Sequence, residues 1–226
     1  MSEDEGYAAA ARGSYAFRFG GDQLLHVGGS TRYRELDNDS DDGAVQYRQR
    51  PFFHFTNIYS VDTGEVDDAD SDLFFGGETA LVRGAFSLQA EAAHTWLNRG
   101  GADNVHGLWG GYVSASYFLT GESRAYDGED GTFDRVRPEE PLHEGGSGAW
   151  EVAARVDYLD LDGNGLDVSA GKQASYIAGV NWYPNANMRL MLNGAATRVE
   201  DAEDSPGVVG DSNTIYGLGM RAQVDF

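Results

Sequence analysis

The sequence contains no cysteine, and Lys172 is the single lysine among its 16 lysine and arginine residues. Without cysteine the chain forms no disulfide, no thiolate metal site and no cysteine nucleophile. No apolar run reaches the roughly 18 residues of a membrane-spanning helix, so a helical membrane bundle is excluded. Acidic residues number 37 and the formal net charge is −21. Because phosphate chains would be repelled by this charge, nucleic acid is not an expected partner.

Glycine, aromatic and other apolar residues are abundant. Of 226 residues, 31 are glycine, 12% are aromatic and 41% are hydrophobic, which is too rich for a disordered acidic tail. The length fits one domain, over residues 1–226. The first ten residues, MSEDEGYAAA, carry acids where a secretory signal has basic and then apolar residues, so no signal peptide is recognised in this chain.

Apolar and polar residues alternate along most of the chain, which is the pattern of strands with two unlike faces. In the last strand, Leu218 and Met220 share one face while Gly219 and Arg221 share the other. The connections 56–72 and 120–148 are each long enough to contain a further short strand. About ten strands (range ten to twelve) are predicted, over 7–19, 24–36, 46–55, 73–82, 85–96, 107–119, 149–158, 173–182, 188–197 and 214–226.

The length of these strands favours a membrane protein. Soluble strands have about five or six residues, whereas a tilted bilayer crossing needs about ten. A soluble sandwich or lipocalin-like barrel is the alternative, but the polar faces would leave groups unsatisfied in a dry core. Short turns alternate with long acidic loops, as in outer-membrane barrels. The sequence therefore predicts an all-β, antiparallel transmembrane β-barrel in the outer membrane of a Gram-negative bacterium, with its apolar faces against lipid.

The faces opposite the apolar ones are expected to line a lumen, and arginine is concentrated on them. Two members of a pair such as Arg32 and Arg34 project to one side about 7 Å apart, a spacing suited to bidentate contacts with an oxyanion. The alternative is that these arginines only brace the barrel by pairing with inward acids. The nine candidates for an anion path are Arg12, Arg18, Arg32, Arg34, Arg48, Arg50, Arg155, Arg189 and Arg221.

The predicted wall carries more bases than acids. Nine arginines against five inward acids give it a net charge of +4, so the acidity of the chain would lie in its loops and ends. The five acids are Glu78, Glu91, Glu151, Asp157 and Asp225.

Six internal stretches and the terminal VDF are distinctive in sequence and in order. They are RPFFH (50–54), VDTG (61–64), FSLQAE (86–91), FLTGES (118–123), GAWEVAARVDYLDL (148–161) and GVNWYPNANMRLMLN (179–193). Together they resemble the phosphate-selective porin O and porin P family. The resemblance implies a large outer-membrane β-barrel, typically of sixteen strands and trimeric, that passes phosphate or related anions. It also implies selectivity through arginines and lysines on the wall and on inward-folded loops.

The chain departs from the family pattern in two respects. It is too short for sixteen strands and is similar to the C-terminal portion of such a barrel, so it is interpreted as one small barrel or as part of a larger one. Much of the inward loop apparatus has no recognised counterpart, and a single lysine, Lys172, forms no anion-attracting cluster. The 120–148 segment is either a loose connector or an element that folds toward the lumen.

The predicted function is passive diffusion of small hydrophilic solutes, including anions such as phosphate, through an arginine-lined lumen. Expected partners are outer-membrane lipid, anionic or neutral solutes and, by resemblance, further copies of the chain in a trimer. The chain is not expected to be an enzyme, and no catalytic residue, cofactor or metal ligand is predicted. The alternatives are a structural or adhesive barrel and a loop-borne hydrolase, which would need a His paired with Asp or Ser. No motif surrounds the five histidines, His26, His54, His94, His106 and His143.

Overall fold

Thirteen β-strands and one 3₁₀ turn (Leu142–Glu144) are present in the described residues, which in this computed structural model are 6–21, 23–36, 44–52, 57–100, 104–166, 169–202 and 212–225. Within them, no helix is long and apolar enough to span a membrane. The strands are β1 (Ala8–Arg18), β2 (Gln23–Glu35), β3 (Arg48–Gln49), β4 (Val61–Asp62), β5 (Ala69–Arg83), β6 (Phe86–Arg99), β7 (Val105–Phe118), β8 (Tyr126–Asp127), β9 (Thr132–Phe133), β10 (Ala149–Asp160), β11 (Lys172–Asn185), β12 (Met188–Glu200) and β13 (Ser212–Val224).

The nine long strands form one antiparallel sheet in the order β1-β2-β5-β6-β7-β10-β11-β12-β13. Each pairs with the next long strand along the chain, which is the connectivity of up-and-down barrels. In the part of the chain that is described, β1 pairs only with β2 and β13 only with β12, so these two strands are the edges of the sheet. The predicted all-β, antiparallel fold is confirmed, and nine of the ten long strands are where the alternation placed them.

The tenth predicted strand, 46–55, does not join the main sheet. Only Arg48 and Gln49 are in strand conformation, and they pair with β4 in a two-stranded hairpin. Pro51 has no N–H to donate, and Phe52 has a φ of 55°, which an extended strand does not contain. The expected extra short strands are present as β4 and as the β8–β9 hairpin.

The register of the main sheet separates two unlike faces. Leu192 of β12 pairs with Met220 of β13 on one face, and Asn193 pairs with Gly219 on the other. Along the described long strands, every exposed large apolar side chain lies on the first face, which we call the apolar face; Leu218 is 76% exposed there. The opposite face carries most of the strand arginines, including Arg32 and Arg34 of β2, and is called the arginine face. So much exposed apolar surface is typical of contact with lipid.

The two rims of the sheet differ in the length of their connections. At the short-turn rim, three of the four connections (β1–β2, β5–β6 and β11–β12) have two to four residues, and the fourth, 119–148, is long. At the long-loop rim, the connections include 36–68 and 161–171. This is the predicted arrangement of an outer-membrane barrel.

The connection 36–68, which we call the upper segment, folds from the long-loop rim onto the arginine face. It starts at β2 and reaches the beginning of β11. The Asp62 amide donates to the carbonyl of Ala170, just before that strand, at 2.9 Å, and Ser60 donates to Gln173 within it. Val61 of β4 is fully buried in a cluster of apolar side chains at this rim. A connection that folds over the arginine face is therefore present.

The connection 119–148, which we call the lower segment, folds onto the same face from the short-turn rim. Its β8–β9 hairpin contacts the wall through Tyr126, whose hydroxyl is 2.6 Å from Nδ1 of His26. Val136 packs with Phe118 and Tyr183 in a second buried cluster. Of the two interpretations of 120–148, the structure supports an element folded against the wall.

The assignment of the two faces predicts opposite effects for neighbouring substitutions. Leu192→Arg places a charge on the apolar face and should destabilise the protein in lipid by about 2–4 kcal/mol. Asn193→Arg is the matched control because its side chain lies on the arginine face beside Gly219, around whose Cβ position there is open space. Urea unfolding in lipid vesicles measures both changes; equal losses would contradict the assignment.

Candidate solute path

The main sheet presents seven of the nine candidate arginines on the arginine face, at the positions that the alternation predicts. Arg48, in β3, and Arg50, directly after it, lie on the upper segment instead. The seven are Arg12 and Arg18 in β1, Arg32 and Arg34 in β2, Arg155 in β10, Arg189 in β12 and Arg221 in β13.

A buried carboxylate holds the two arginines of β2. Asp72 is fully buried, lies directly opposite Arg34 in the register, and accepts hydrogen bonds from both Arg34 and Arg32, the latter at 3.3 Å. The hydroxyl of Tyr47 donates to the same carboxylate at 2.8 Å, which ties the upper segment to the wall. Burial, together with the charge of Asp72, raises the pKa of Tyr47, so its phenol keeps the proton that it donates.

Sequence analysis did not identify Asp72 as a wall residue, because Asp72 lies at the end of an acidic run that resembles a loop. The strand was predicted to begin at residue 73, whereas β5 begins at Ala69, and this brings Asp72 into the wall. Asp225, counted with the wall acids, lies after β13 at the short-turn rim, where its amide donates to the Asn187 carbonyl. The predicted net charge of +4 for the wall therefore omits Asp72, an acid that partly neutralises the arginines near the long-loop rim.

Glu78 organises the wall near the middle of β1 and β2. Arg12 lies 2.6 Å from it, and Nε2 of His26 lies 3.1 Å from the same carboxylate oxygen. Arg12 also donates to the Gly131 carbonyl at 3.1 Å, and His26 contacts Tyr126. One ionic group thus fixes both the wall and the tip of the lower segment.

Arg155 is also paired on the wall. Its Nε donates to both oxygens of Asp157 at 2.9 Å, and its guanidinium stacks 3.6 Å from the ring centroid of Tyr112. The hydroxyl of Tyr112 donates to Glu91 on the next strand. A planar guanidinium held in this way is a fixed part of the wall.

A second fully buried carboxylate, Glu151, anchors the lower segment. Arg124 of that segment donates to it, and Asn181 and Tyr183 each donate at 2.8 Å. A buried charge requires such a complete set of partners. Sequence reasoning missed the role of Arg124, because nothing in its local sequence shows that it meets a strand 27 positions away.

Four of the five remaining candidate arginines contact aromatic rings. Arg48 and Arg50 lie 4.1 and 4.9 Å from the ring centroid of Tyr59, and Arg50 also donates to the Tyr59 hydroxyl. Of the other remaining candidates, Arg18 lies over the ring of Tyr126 and Arg189 over the ring of Tyr183. Within the described ranges, Arg18, Arg48, Arg189 and Arg221 have no carboxylate within 4.0 Å. A guanidinium of this kind keeps donors for a passing anion.

The histidines do not form a hydrolytic arrangement in the described residues. His26 contacts Glu78 and Tyr126, His94 stacks on Trp96 on the apolar face, and no described histidine hydrogen-bonds to a serine. His54 and Phe226 lie outside the described residues, as does the side chain of His106. No three histidine or acidic side chains of the described ranges are arranged to hold a metal ion.

Comparison with known proteins gives one family and two relatives. The family model described as phosphate-selective porin O and P matches residues 1–226. An uncharacterised protein of Caulobacter vibrioides is 35% identical over 229 residues, which cover 99% of this chain and 44% of the relative. Porin O of Pseudomonas aeruginosa is 31% identical over 206 residues, which cover 79% of this chain and 45% of that protein. The chain thus spans less than half the length of these relatives.

The ionic group of Asp72, Arg32 and Arg34 predicts that removing only the two arginines lowers the unfolding free energy more than removing the arginines and the carboxylate together. The double variant Arg32→Gln/Arg34→Gln leaves the buried carboxylate without a cation and should lose about 3–5 kcal/mol of unfolding free energy. Adding Asp72→Asn should recover most of that loss, because the buried charge disappears. Urea unfolding monitors both variants; a triple variant as unstable as the double would contradict the role of Asp72.

The raised pKa of Tyr47 predicts a dependence on alkaline pH. Tyrosine in the unfolded chain ionises near pH 10, so the contribution of Tyr47 to stability is present below about pH 10 and is lost as the pH rises further. The unaltered protein should therefore lose unfolding free energy above pH 10 more steeply than Tyr47→Phe does. Urea unfolding between pH 8 and pH 11 gives the two slopes, and equal slopes would show that Tyr47 is not responsible.

Proposed function

We propose, on the premise that this chain belongs to the phosphate-selective porin O and P family, that its strands line an outer-membrane pore for small hydrophilic solutes. The family consists of channels, so the prediction that the chain is not an enzyme is confirmed by membership. One observation carries the proposal: a single sheet has exposed apolar side chains on one face and seven arginines on the other. Such a sheet suits lipid on one side and water on the other.

We propose further that the pore prefers anions such as phosphate. Support comes from the arginines without a carboxylate partner, of which Arg48 lies exposed on the upper segment. Arg12, Arg32, Arg34 and Arg155 are held by carboxylates, so they act mainly as braces. Both interpretations of the arginines therefore apply, each to its own subset.

The proposal also covers what contacts the protein, namely membrane lipid and further copies of the chain. Lipid would cover the apolar face, as in other outer-membrane barrels. Copies of the chain would associate in trimers, as the family resemblance implies, and the strands of 1–226 would contribute to a barrel wall. The domain interpretation of 1–226 as one barrel or as part of a larger one belongs to this proposal.

Planar-bilayer recording of the purified protein tests the proposal directly. Stepwise conductance is expected, with a reversal potential in a salt gradient that indicates anion preference. Absence of conductance steps would contradict the pore and favour a structural or adhesive barrel. A reversal potential of the opposite sign would contradict the anion preference alone.

Arg48→Gln should lower the anion-to-cation permeability ratio by about twofold. This factor corresponds to the ~0.5 kcal/mol between unit charges ~8 Å apart in water. Arg198→Gln is the matched control, because it removes the same charge from a side chain that pairs with Glu200 and lies on the other face. An equal change in both variants would show that overall charge, and not Arg48, sets the preference.

A further inference from the structure

We infer that the arginine face carries a binding slot for a small organic ammonium ion with an apolar body. The slot is a cavity of about 370 Å³ between the wall strands β5, β6, β7 and β10 and the upper segment. This volume lies within the range of small-molecule sites. The inference does not depend on conduction, since the slot is formed by contacts between one segment and one wall.

Small side chains form the floor of the slot. Gly76, Ala93 and Gly110 lie side by side in the register of β5, β6 and β7, all on the arginine face. A Cβ at Gly76 would lie 3.2 Å from the ring of Phe74, so glycine is what lets that ring lie along the floor. The row leaves room for a ligand between larger side chains on either side.

The side of the slot toward the short-turn rim is acidic. Glu78, Glu91 and Asp157 all belong to the next row of the register. Arg12 pairs with Glu78, and Arg155 pairs with Asp157. Glu91 accepts hydrogen bonds only from neutral groups, Gln89 and Tyr112, and no cationic nitrogen of the described residues lies within 4.0 Å of it.

The charge of the slot therefore differs from that of the rest of the path. With histidine neutral, three carboxylates face two guanidinium groups, and the remaining negative charge is that of Glu91. A single ammonium group would neutralise it through charge-assisted hydrogen bonds. An anion would meet Arg155 with two of its nitrogens, Nε and one terminal nitrogen, already donating to Asp157.

The opposite side and the roof of the slot are largely apolar. Phe74 borders the floor toward the long-loop rim, and Phe52 and Gln49 of the upper segment cover it. Leu159 of β10 closes one end. A ligand with an ammonium group at one end and a phenyl or similar apolar body at the other would match both sides at once.

Equilibrium binding to the purified protein in a neutral detergent tests the inference. Phenethylamine is the probe, and phenylacetate is its counterpart of similar size and opposite charge. Calorimetric titration should show saturable binding of phenethylamine, with an affinity at least tenfold above that of phenylacetate. Equal affinities in the unaltered protein would overturn the inference without the need for any variant.

Two variants locate the binding within the slot. Glu91→Gln should weaken phenethylamine binding about tenfold, because a charge-assisted hydrogen bond becomes a neutral one. Glu129→Gln removes the same charge from the exposed β8–β9 turn and should leave the affinity unchanged. Ala93→Leu fills the floor and should abolish binding without altering charge. Circular dichroism verifies the β-structure of each variant.

The outcomes separate this inference from the proposed function. Unchanged affinity in both Glu91→Gln and Ala93→Leu would overturn the slot, even where bilayer recording still shows an anion-selective pore. Binding that follows the expected pattern supports the slot even where the bilayer recording shows no conductance.

Discussion

The cost of a buried carboxylate is the constraint on which the arrangement of this chain depends. Asp72 and Glu151 are fully buried, and an unpaired charge in such a place would cost several kcal/mol. Each is therefore surrounded by donors, and part of each donor set comes from a connection: Tyr47 for Asp72 and Arg124 for Glu151. The requirement to satisfy two wall charges thus fixes where both inward segments lie.

The arginines of the wall divide according to the same constraint. Where a carboxylate lies across the register, as Asp72 lies opposite Arg34, the guanidinium becomes part of the scaffold. Where aromatic rings are the neighbours, as for Arg189 on Tyr183, some N–H donors of the guanidinium remain available to other acceptors. One residue type therefore supplies both rigidity and local positive charge, and its neighbours decide which.

Periodicity along the sequence is sufficient to predict the strands and their faces, because side chains alternate with a period of two. It places Arg221 and Leu218 on opposite faces without any knowledge of the fold. It does not reveal that Asp72 meets Tyr47, since that contact joins a wall strand to a connection with no regular pattern. Nor does it show that Phe52 adopts a left-handed φ, which ends the predicted strand at 46–55. The local sequence pattern determines the face on which a side chain lies, whereas pairing between distant residues determines the arrangement of the candidate site.

The two inward segments approach the arginine face from opposite rims, and this has a consequence for transport. If the proposed pore exists, the upper and lower segments would act on a crossing solute as two resistances in series. The larger resistance would dominate the total resistance, so widening the path at the other segment alone would change the solute flux little. Because the upper segment is tied to the wall at Asp72 and the lower segment at Glu151, the two would differ in shape and charge, and the proposed current need not be equal in both directions.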